Sequence, residues 1–217
     1  VFAGLIMIKG ETIRFTPLRQ PAMLLRNAGD ILAGITMSIA LAYVPISIIG
    51  AVIQSVPLML TAAAALFLGE RVGIRRISAI LVGFSGVLFI IQPNRSDFDW
   101  MVILAVIAAV GLTIRDIGTK LVSRDVSTLL VSFYASVLYT LSGSALLLIS
   151  GGATLPDGGT LVQFAVMIAL GALGYICVTN AVRVGDMSVV SPFRYSRMLF
   201  SVAVGIIILG EEVNSMM

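Results

Sequence analysis

Ionisable side chains that lie inside apolar stretches long enough to cross a bilayer are the first candidates for chemistry. Arg115 and Asp116 lie at an intermediate depth in the stretch at 101–121. Arg26 and Asp30 belong to the stretch at 22–44, whereas Arg194 and Arg197 belong to the stretch at 188–209. At 1.5 Å per residue, Asp30 and Arg197 lie about 12–13 Å into their helices, near the middle of a hydrocarbon core about 30 Å thick. A charge at that depth is costly unless it is paired or hydrated, so such residues mark candidate transport sites.

Arg197 is the first candidate for substrate binding. In a continuous helix, Arg194, Arg197 and Ser201 share one face, and Tyr195 adds a hydroxyl beside it. A guanidinium there could hold a carboxylate or phosphate through two parallel hydrogen bonds. The alternative is a fixed ion pair between Arg197 and Asp30, and a pair that opens during transport satisfies both interpretations. Arg194 lies nearer the membrane surface, where snorkelling to water is favoured over substrate contact.

Asp30 and Gln54 each have a structural and a functional interpretation. Arg26 precedes Asp30 by one helical turn and could neutralise it locally, whereas a protonatable coupling site is the functional alternative. Gln54 lies in the middle of the stretch at 46–68, where it lines a cavity or packs between helices. Pro57 removes one backbone donor from the same stretch and therefore predicts a kink.

The residue inventory argues against a metal centre, a bound cofactor and an enzyme. The chain has no histidine and a single cysteine, Cys177, which is too few ligands for a Cys/His zinc site, and it has no Walker motif for a nucleotide. Gly83-Phe84-Ser85-Gly86 matches the Gly-x-Ser-Gly of rhomboid proteases, so an intramembrane protease is an alternative. Because a rhomboid serine needs a histidine base, we expect no enzyme activity.

The composition indicates an integral membrane protein. Hydrophobic residues make up 59% of the chain and charged residues 12%, against about 25% charged in soluble domains. We expect that the chain lacks helices at both ends, because the apolar stretch at 1–8 is too short to span. Stretches of spanning length are predicted at 22–44, 46–68, 77–92, 101–121, 129–150, 161–182 and 188–209.

Loop charges predict the orientation of the helices. Basic residues gather in the loops before 22–44 and after 46–68, 101–121 and 161–182, whereas the alternate loops hold Arg95 with three aspartates. By the positive-inside rule, the basic loops are cytoplasmic.

An internal repeat accompanies this topology. The segment Leu66–Val72, which contains Leu-Gly-Glu, returns at 207–213 with an offset of 141 residues. The loop charges place Glu70 on the cytoplasmic side and Glu211 on the outer side, so the two copies are inverted. We interpret both glutamates as structural. The predicted fold is an all-α polytopic bundle of two inverted five-helix repeats, at 1–92 and 101–217, a design typical of secondary transporters.

Several segments resemble a known family. Ala-Leu-Ala-Tyr-Val at 40–44, Leu-Phe-Leu-Gly-Glu-Arg at 66–71 and Gly-Phe-Ser-Gly-Val-Leu at 83–88 are similar to the first EamA repeat of the drug/metabolite transporter superfamily. Asn180–Asp186, Ser191–Tyr195 and the second Leu-Gly-Glu resemble the second repeat.

The resemblance implies a multi-pass secondary transporter of the bacterial inner membrane. It would move amino acids or related small metabolites of anionic or zwitterionic character by alternating access without ATP, with export and a coupling proton as expectations. The candidate lining residues are Arg197, Tyr195, Gln54, Asp30 and Arg194. A membrane protein that interacts with partners without transport is the remaining alternative.

Overall fold

The computed structural model describes residues 1–91, 99–149, 156–197 and 200, and the regular elements in these ranges are helical. Two short 3-10 turns occupy Thr16–Arg19 and Ser191–Tyr195. The α-helices are α1 (Phe2–Ile8), α2 (Pro21–Tyr43), α3 (Ile46–Ile53), α4 (Val56–Phe67), α5 (Ile74–Ile91), α6 (Val102–Leu121), α7 (Thr128–Ile149), α8 (Gly158–Val184) and α9 (Met187–Val190).

Within the described residues, five segments are long and apolar enough to cross a membrane. They are α2, the segment Ile48–Phe67 formed by α3 and α4, α6, α7 and α8. Each agrees with a stretch predicted from the sequence to within a few residues. Helix α8 leaves many of its large apolar side chains exposed, including Leu161, Phe164 and Met167, as expected for contact with lipid. The chain is therefore a polytopic all-α membrane protein, as predicted.

Glycines bring α2 and α6 into direct backbone contact. A Cβ atom added at Gly118 would stand 2.6 Å from the backbone nitrogen of Arg26, and one added at Gly29 would stand 2.5 Å from that of Arg115. Gly111 extends the same contact further along α6. Small residues permit this approach because no side chain separates the two helices. The contact places the charged residues of α2 against those of α6.

The stretch predicted at 46–68 is interrupted, as Pro57 indicates. Helix α3 ends at Ile53, residues Gln54 and Ser55 form a turn, and α4 begins at Val56 with Pro57 in its first turn. The hydroxyl of Ser55 donates to the backbone oxygen of Val52 at 2.6 Å and so satisfies one of the carbonyls at the break.

The start of the stretch predicted at 188–209 is not a continuous α-helix. The short helix α9 is followed by the 3-10 turn Ser191–Tyr195, with Pro192 near its beginning. The hydroxyls of Thr61 in α4 and Ser191 lie 2.8 Å apart and hold this turn against the bundle. Residues 201–217, which include Ser201 and Glu211, lie outside the described residues.

Loops that share a predicted side of the membrane meet at one end of the bundle. The ammonium of Lys120 donates to the backbone oxygen of Gly185 at 2.5 Å, and Arg183 donates to that of Val126 at 2.6 Å. The hydroxyl of Ser127 contacts the carboxylate of Glu11 in the loop before α2. This grouping agrees with the loop charges, and the side of the bilayer that this end faces stays a prediction.

Candidate functional site

An ion pair within α2 is the centre of a buried charge cluster. Nη1 of Arg26 lies 3.0 Å from Oδ2 of Asp30, and both side chains are fully buried. The residues are four apart, so they face the same side of the helix. The local neutralisation of Asp30 that the sequence suggested is therefore present.

Three further charged side chains complete the cluster. Nε of Arg115 lies 2.8 Å from Oδ1 of Asp116 and 3.9 Å from Oδ1 of Asp30, which joins α6 to α2. The 3-10 turn after α9 supplies Arg194, whose Nη2 lies 2.5 Å from Oδ2 of Asp116. Arg194 thus points into the bundle, and the snorkelling interpretation is wrong for this structure. Three arginines face two aspartates, so the ionised cluster carries one excess positive charge. We define the charge cluster as Arg26, Asp30, Arg115, Asp116 and Arg194.

Hydrogen bonding in the charge cluster is incomplete. Nε of Arg26, together with Nε and Nη2 of Arg194, is buried without a hydrogen-bond partner in the part of the chain that the structure describes. The Oδ2 atoms of Asp30 and Asp116 contact guanidinium groups as ion pairs but lack hydrogen-bond geometry. An unsatisfied buried donor costs about 1–3 kcal/mol, so these N–H groups favour a further acceptor.

Two tyrosines from α7 and α8 bind the charge cluster. The hydroxyl of Tyr139 donates to Oδ1 of Asp30 at 2.6 Å, and Nη2 of Arg26 donates to the hydroxyl of Tyr175 at 2.5 Å. Sequence reasoning did not select either residue. The available signal was a tyrosine in the interior of a predicted span, where its hydroxyl requires a polar partner.

The same tyrosines line a cavity of about 500 Å³ between α1, α7 and α8. This volume lies within the range of about 300–1,000 Å³ that small-molecule sites occupy. The rings of Phe2 and Tyr175 meet edge to face, with centroids 6.3 Å apart. We define the aromatic cavity by its four rings and three hydroxyl residues, which are Phe2, Phe133, Tyr139, Tyr175, Ser132, Ser136 and Thr140.

The hydroxyl groups of the aromatic cavity are arranged to accept hydrogen bonds. Ser136 donates to the backbone oxygen of Phe133 at 2.7 Å, and Thr140 donates to that of Ser136 at 2.8 Å. Because each hydroxyl proton is already used within α7, the oxygen lone pairs remain for a ligand N–H or O–H. The described lining includes no aspartate or glutamate. The cavity therefore suits an aromatic ring that carries hydrogen-bond donors.

The pair between Arg197 and Asp30 is not formed. Asp30 is bound by Arg26, Arg115 and Tyr139, whereas Arg197 is exposed. The prediction assumed α-helical spacing, but the chain forms a 3-10 turn after Pro192, so Arg194 and Arg197 do not share a buried face. A substrate role for Arg197 stays a prediction.

Gln54 and Tyr195 occupy related positions in two interrupted segments. Both side chains are half-buried, and neither is among the residues that line the aromatic cavity. Gln54 lies in the turn between α3 and α4, and Tyr195 ends the 3-10 turn after α9. The structure thus brings Asp30 and Arg194 into the charge cluster and leaves Gln54, Tyr195 and Arg197 outside it.

Glu70 caps a helix in the distant part of the chain. Its carboxylate accepts hydrogen bonds from the backbone N–H groups of Met187 at 2.8 Å and Ser188 at 2.9 Å, at the N-terminus of α9. Asp186, the residue at the N-cap position, makes no capping hydrogen bond with its side chain. Burial acts to raise the pKa of Glu70, but the two amide hydrogen bonds and Lys120 outweigh it and hold the pKa below its usual 4.5.

The structural interpretation of Glu70 is consistent with this contact. Its hydrogen-bond donors are the backbone amides of Met187 and Ser188 at the start of α9. The equivalent interpretation of Glu211 falls outside the described residues.

Neither metal chemistry nor serine catalysis gains support from the described residues. These residues hold no group of three or more Cys, Asp and Glu side chains close enough to bind a metal ion. Ser85 donates its hydroxyl proton to the backbone oxygen of Leu81 at 2.9 Å, and the chain has no histidine to act as its base.

The chain is similar to bacterial transporters over much of its length. A riboflavin transporter of Rhizobium johnstonii is 31% identical over 78% of this chain and 56% of that protein, and one of Vibrio cholerae is 32% identical over 79% and 57%. An S-adenosylmethionine uptake transporter of Rickettsia bellii is 25% identical over 79% of this chain and 58% of that protein. The chain thus spans somewhat more than half the length of these relatives.

A family model gives the assignment. The model of the EamA-like transporter family matches residues 99–217, which is more than half of the chain. The match covers the second predicted repeat and agrees with the resemblance seen there, and it agrees with the expectation of a protein that is not an enzyme. The chain belongs to the EamA-like transporter family.

Proposed function

We propose that the protein is a secondary transporter that carries a small heteroaromatic metabolite across the bacterial inner membrane. The observation that carries this proposal is the aromatic cavity, in which four rings surround about 500 Å³ beside a buried charge cluster. Membership of a transporter family supports transport in general, and the cavity supports the choice of ligand.

The substrate class follows from the chemistry of the cavity. Aromatic side chains stack on heterocyclic rings, and the oxygens of Ser136 and Thr140 can accept hydrogen bonds from ring N–H or sugar O–H groups. Riboflavin and S-adenosylmethionine, named for the relatives, both join a planar nitrogen heterocycle to a polar tail. The sequence suggested the wider class of amino acids and related metabolites, in which most members lack a ring for these side chains to stack on.

Two interrupted segments support an alternating-access mechanism. Helix α3 begins at Ile46 and α9 at Met187, which reproduces the offset of 141 residues, and both segments lose regular α-helix within about two turns. Interrupted helices at corresponding positions of two repeats are a feature of secondary transporters. We therefore retain the inverted repeats at 1–92 and 101–217 as part of the proposal.

The direction and the coupling ion belong to the same proposal. The name of the Rickettsia relative includes uptake, so we propose import, and the export expected from the sequence is the alternative. Asp30 is retained as the candidate for a coupling proton because it is a carboxylate buried inside a predicted membrane span.

The test is uptake of radiolabelled riboflavin by cells that produce the full-length protein. We expect accumulation by the wild type and a loss of about tenfold or more in Tyr175→Ala, because stacking on one aromatic side chain contributes about 1–3 kcal/mol. Tyr43→Ala is the matched control, since Tyr43 is 65% exposed and is not among the residues that line the cavity. Equal uptake by all three proteins would overturn the assignment of the cavity. Inside-out vesicles, with and without a proton gradient, would distinguish import from export.

A further inference from the structure

The charge cluster, which touches the aromatic cavity through Tyr139 and Tyr175, has an excess of positive charge within the described residues. Among these residues, Arg26, Arg115 and Arg194 are paired with two carboxylates, those of Asp30 and Asp116. The side chains of Arg26 and Asp30 are fully buried, so water does not screen them effectively.

Two tyrosines lie between the charge cluster and the aromatic cavity. Tyr139 and Tyr175 line the aromatic cavity with their rings and bind the charge cluster with their hydroxyls. A ligand stacked on these rings is therefore separated from Arg26 and Asp30 by a single side chain.

The cavity wall offers a cation little compensation. The described lining holds neither aspartate nor glutamate, and the hydroxyls of Ser136 and Thr140 are neutral acceptors. By contrast, the buried Nε atoms of Arg26 and Arg194 lack hydrogen-bond partners in the described part of the chain. The polar surroundings thus favour electron-rich groups over positive ones.

We infer that the charge cluster is a charge filter, which admits neutral or anionic heteroaromatic ligands, such as flavins, and rejects cationic ones, such as adenosyl sulfonium compounds. The inference rests on the proposed function and narrows its substrate class. It assigns to Arg26, Arg115 and Arg194 a role in specificity that operates through the electrostatic potential of the cavity.

A matched pair of ligands tests the filter in the full-length protein. S-adenosylmethionine and S-adenosylhomocysteine share the adenosyl and amino-acid groups and differ by one methyl group and one positive charge. We measure how each inhibits uptake of radiolabelled riboflavin. We expect S-adenosylhomocysteine to inhibit at a concentration at least about tenfold lower than S-adenosylmethionine does, since like charges in contact are strongly disfavoured.

Variants then change the cluster charge in both directions. Arg194→Gln removes the excess charge and should bring the two inhibitors close to equal potency, whereas Arg194→Lys keeps the charge and should preserve the difference. Should Arg194→Gln fail to fold, Asp116→Asn adds to the positive charge and should widen the difference. A merely structural role for Arg194 would lower uptake without changing the ratio of the two inhibitors, and that result would overturn the inference.

The outcomes also separate this inference from the proposed function. If riboflavin is carried and both adenosyl compounds inhibit equally well or equally poorly, the charge filter is wrong and the transport proposal stands. Transport of S-adenosylmethionine in preference to riboflavin would also contradict the charge filter and leave the transport proposal standing. If the protein carries neither riboflavin nor S-adenosylmethionine, both proposals fail.

Discussion

Individual charges in this protein are compensated by partners that differ in distance along the chain. Arg26 and Asp30 pair within one helix, whereas Arg194 reaches Asp116 of α6 from the 3-10 turn after α9. The carboxylate of Glu70 accepts hydrogen bonds from two backbone amides of α9. Each of these contacts lowers the cost of placing charge in or near a membrane.

The Glu70 cap makes a prediction at the residue scale. A carboxylate whose pKa is lowered by folding stabilises the folded state above its usual pKa, and this stabilisation is lost as the pH falls through the lowered value. We expect the melting temperature of the detergent-solubilised protein to be lower in Glu70→Gln than in the wild type at pH 7. The difference should shrink below pH 4.5 as the wild-type carboxylate takes up its proton. Thermal unfolding followed by fluorescence at several pH values provides the measurement.

Asp186→Asn is the control for that prediction. Asp186 occupies the N-cap position of α9 but makes no capping hydrogen bond with its side chain, so its substitution should leave the melting temperature nearly unchanged. If Asp186→Asn lowered the melting temperature more than Glu70→Gln does, α9 would be capped by Asp186 and not by Glu70, and the prediction would be wrong.

Sequence reasoning at this scale identified several charged residues but few of their contacts. The pair Arg26 and Asp30 was predictable because both residues lie on one helix at a known spacing. The contacts of Glu70 with Met187 and Ser188, and of Tyr175 with Arg26, join residues more than 100 positions apart. No local pattern encodes such distances, since they depend on how the helices pack.

At the scale of elements, the backbone contact between α2 and α6 positions the charge cluster. The contact requires the absence of a Cβ atom at Gly29, Gly111 and Gly118. The atoms nearest to these glycines are backbone atoms of the opposite helix. A side chain in place of any of these glycines would therefore push the two helices apart.

A glycine substitution tests this contact. We expect Gly118→Ala to destabilise the protein by about 1–3 kcal/mol, the usual cost of overpacking, because its Cβ would lie 2.6 Å from the backbone nitrogen of Arg26. Gly174→Ala is the control, since no atom lies within 4 Å of a Cβ at that position. Unfolding in a graded denaturant series would measure both variants. Equal stability of the two variants would contradict the close approach.

The sequence predicted the elements better than it predicted their interruptions. Apolar length was sufficient for α2, α6, α7 and α8, because a span of a given thickness requires a fixed number of residues. Pro57 correctly indicated the break after α3. The 3-10 turn at Ser191–Tyr195 was missed, although Pro192 lies near its start, because a proline in the first turn is also compatible with a regular helix.

At the scale of the whole molecule, the positive-inside rule predicts which end faces the cytoplasm. The end that carries Glu70, Lys120 and Arg183 should lie inside the cell, and Asp157 at the start of α8 should lie outside. In a Cys177→Ser background, a membrane-impermeant maleimide should label Asp157→Cys in intact cells. Arg124→Cys should be labelled only after the cells are permeabilised. The reverse pattern would invert the orientation, and with it the side on which the Glu70 cap operates.

The fold class and the family could be predicted from composition, loop charges and short motifs, because these properties accumulate over the whole chain. The substrate site could not be predicted in this way. The aromatic cavity joins residues of α1, α7 and α8, and its ring residues were unremarkable on their own among many apolar neighbours. Only the packing of three helices reveals that these residues line one cavity.

The ion pair within α2 also has a consequence for how the protein is made. During synthesis, α2 leaves the ribosome about 80 residues before α6, as their sequence positions show. Arg26 and Asp30 are therefore synthesised before Arg115 and Asp116, with which they later form the charge cluster. Because each helix carries its own neighbouring pair of opposite charges, it is nearly neutral on insertion. Arg194 is translated after the other four residues of the charge cluster. Its partner Asp116 has therefore already been synthesised when Arg194 reaches the bundle.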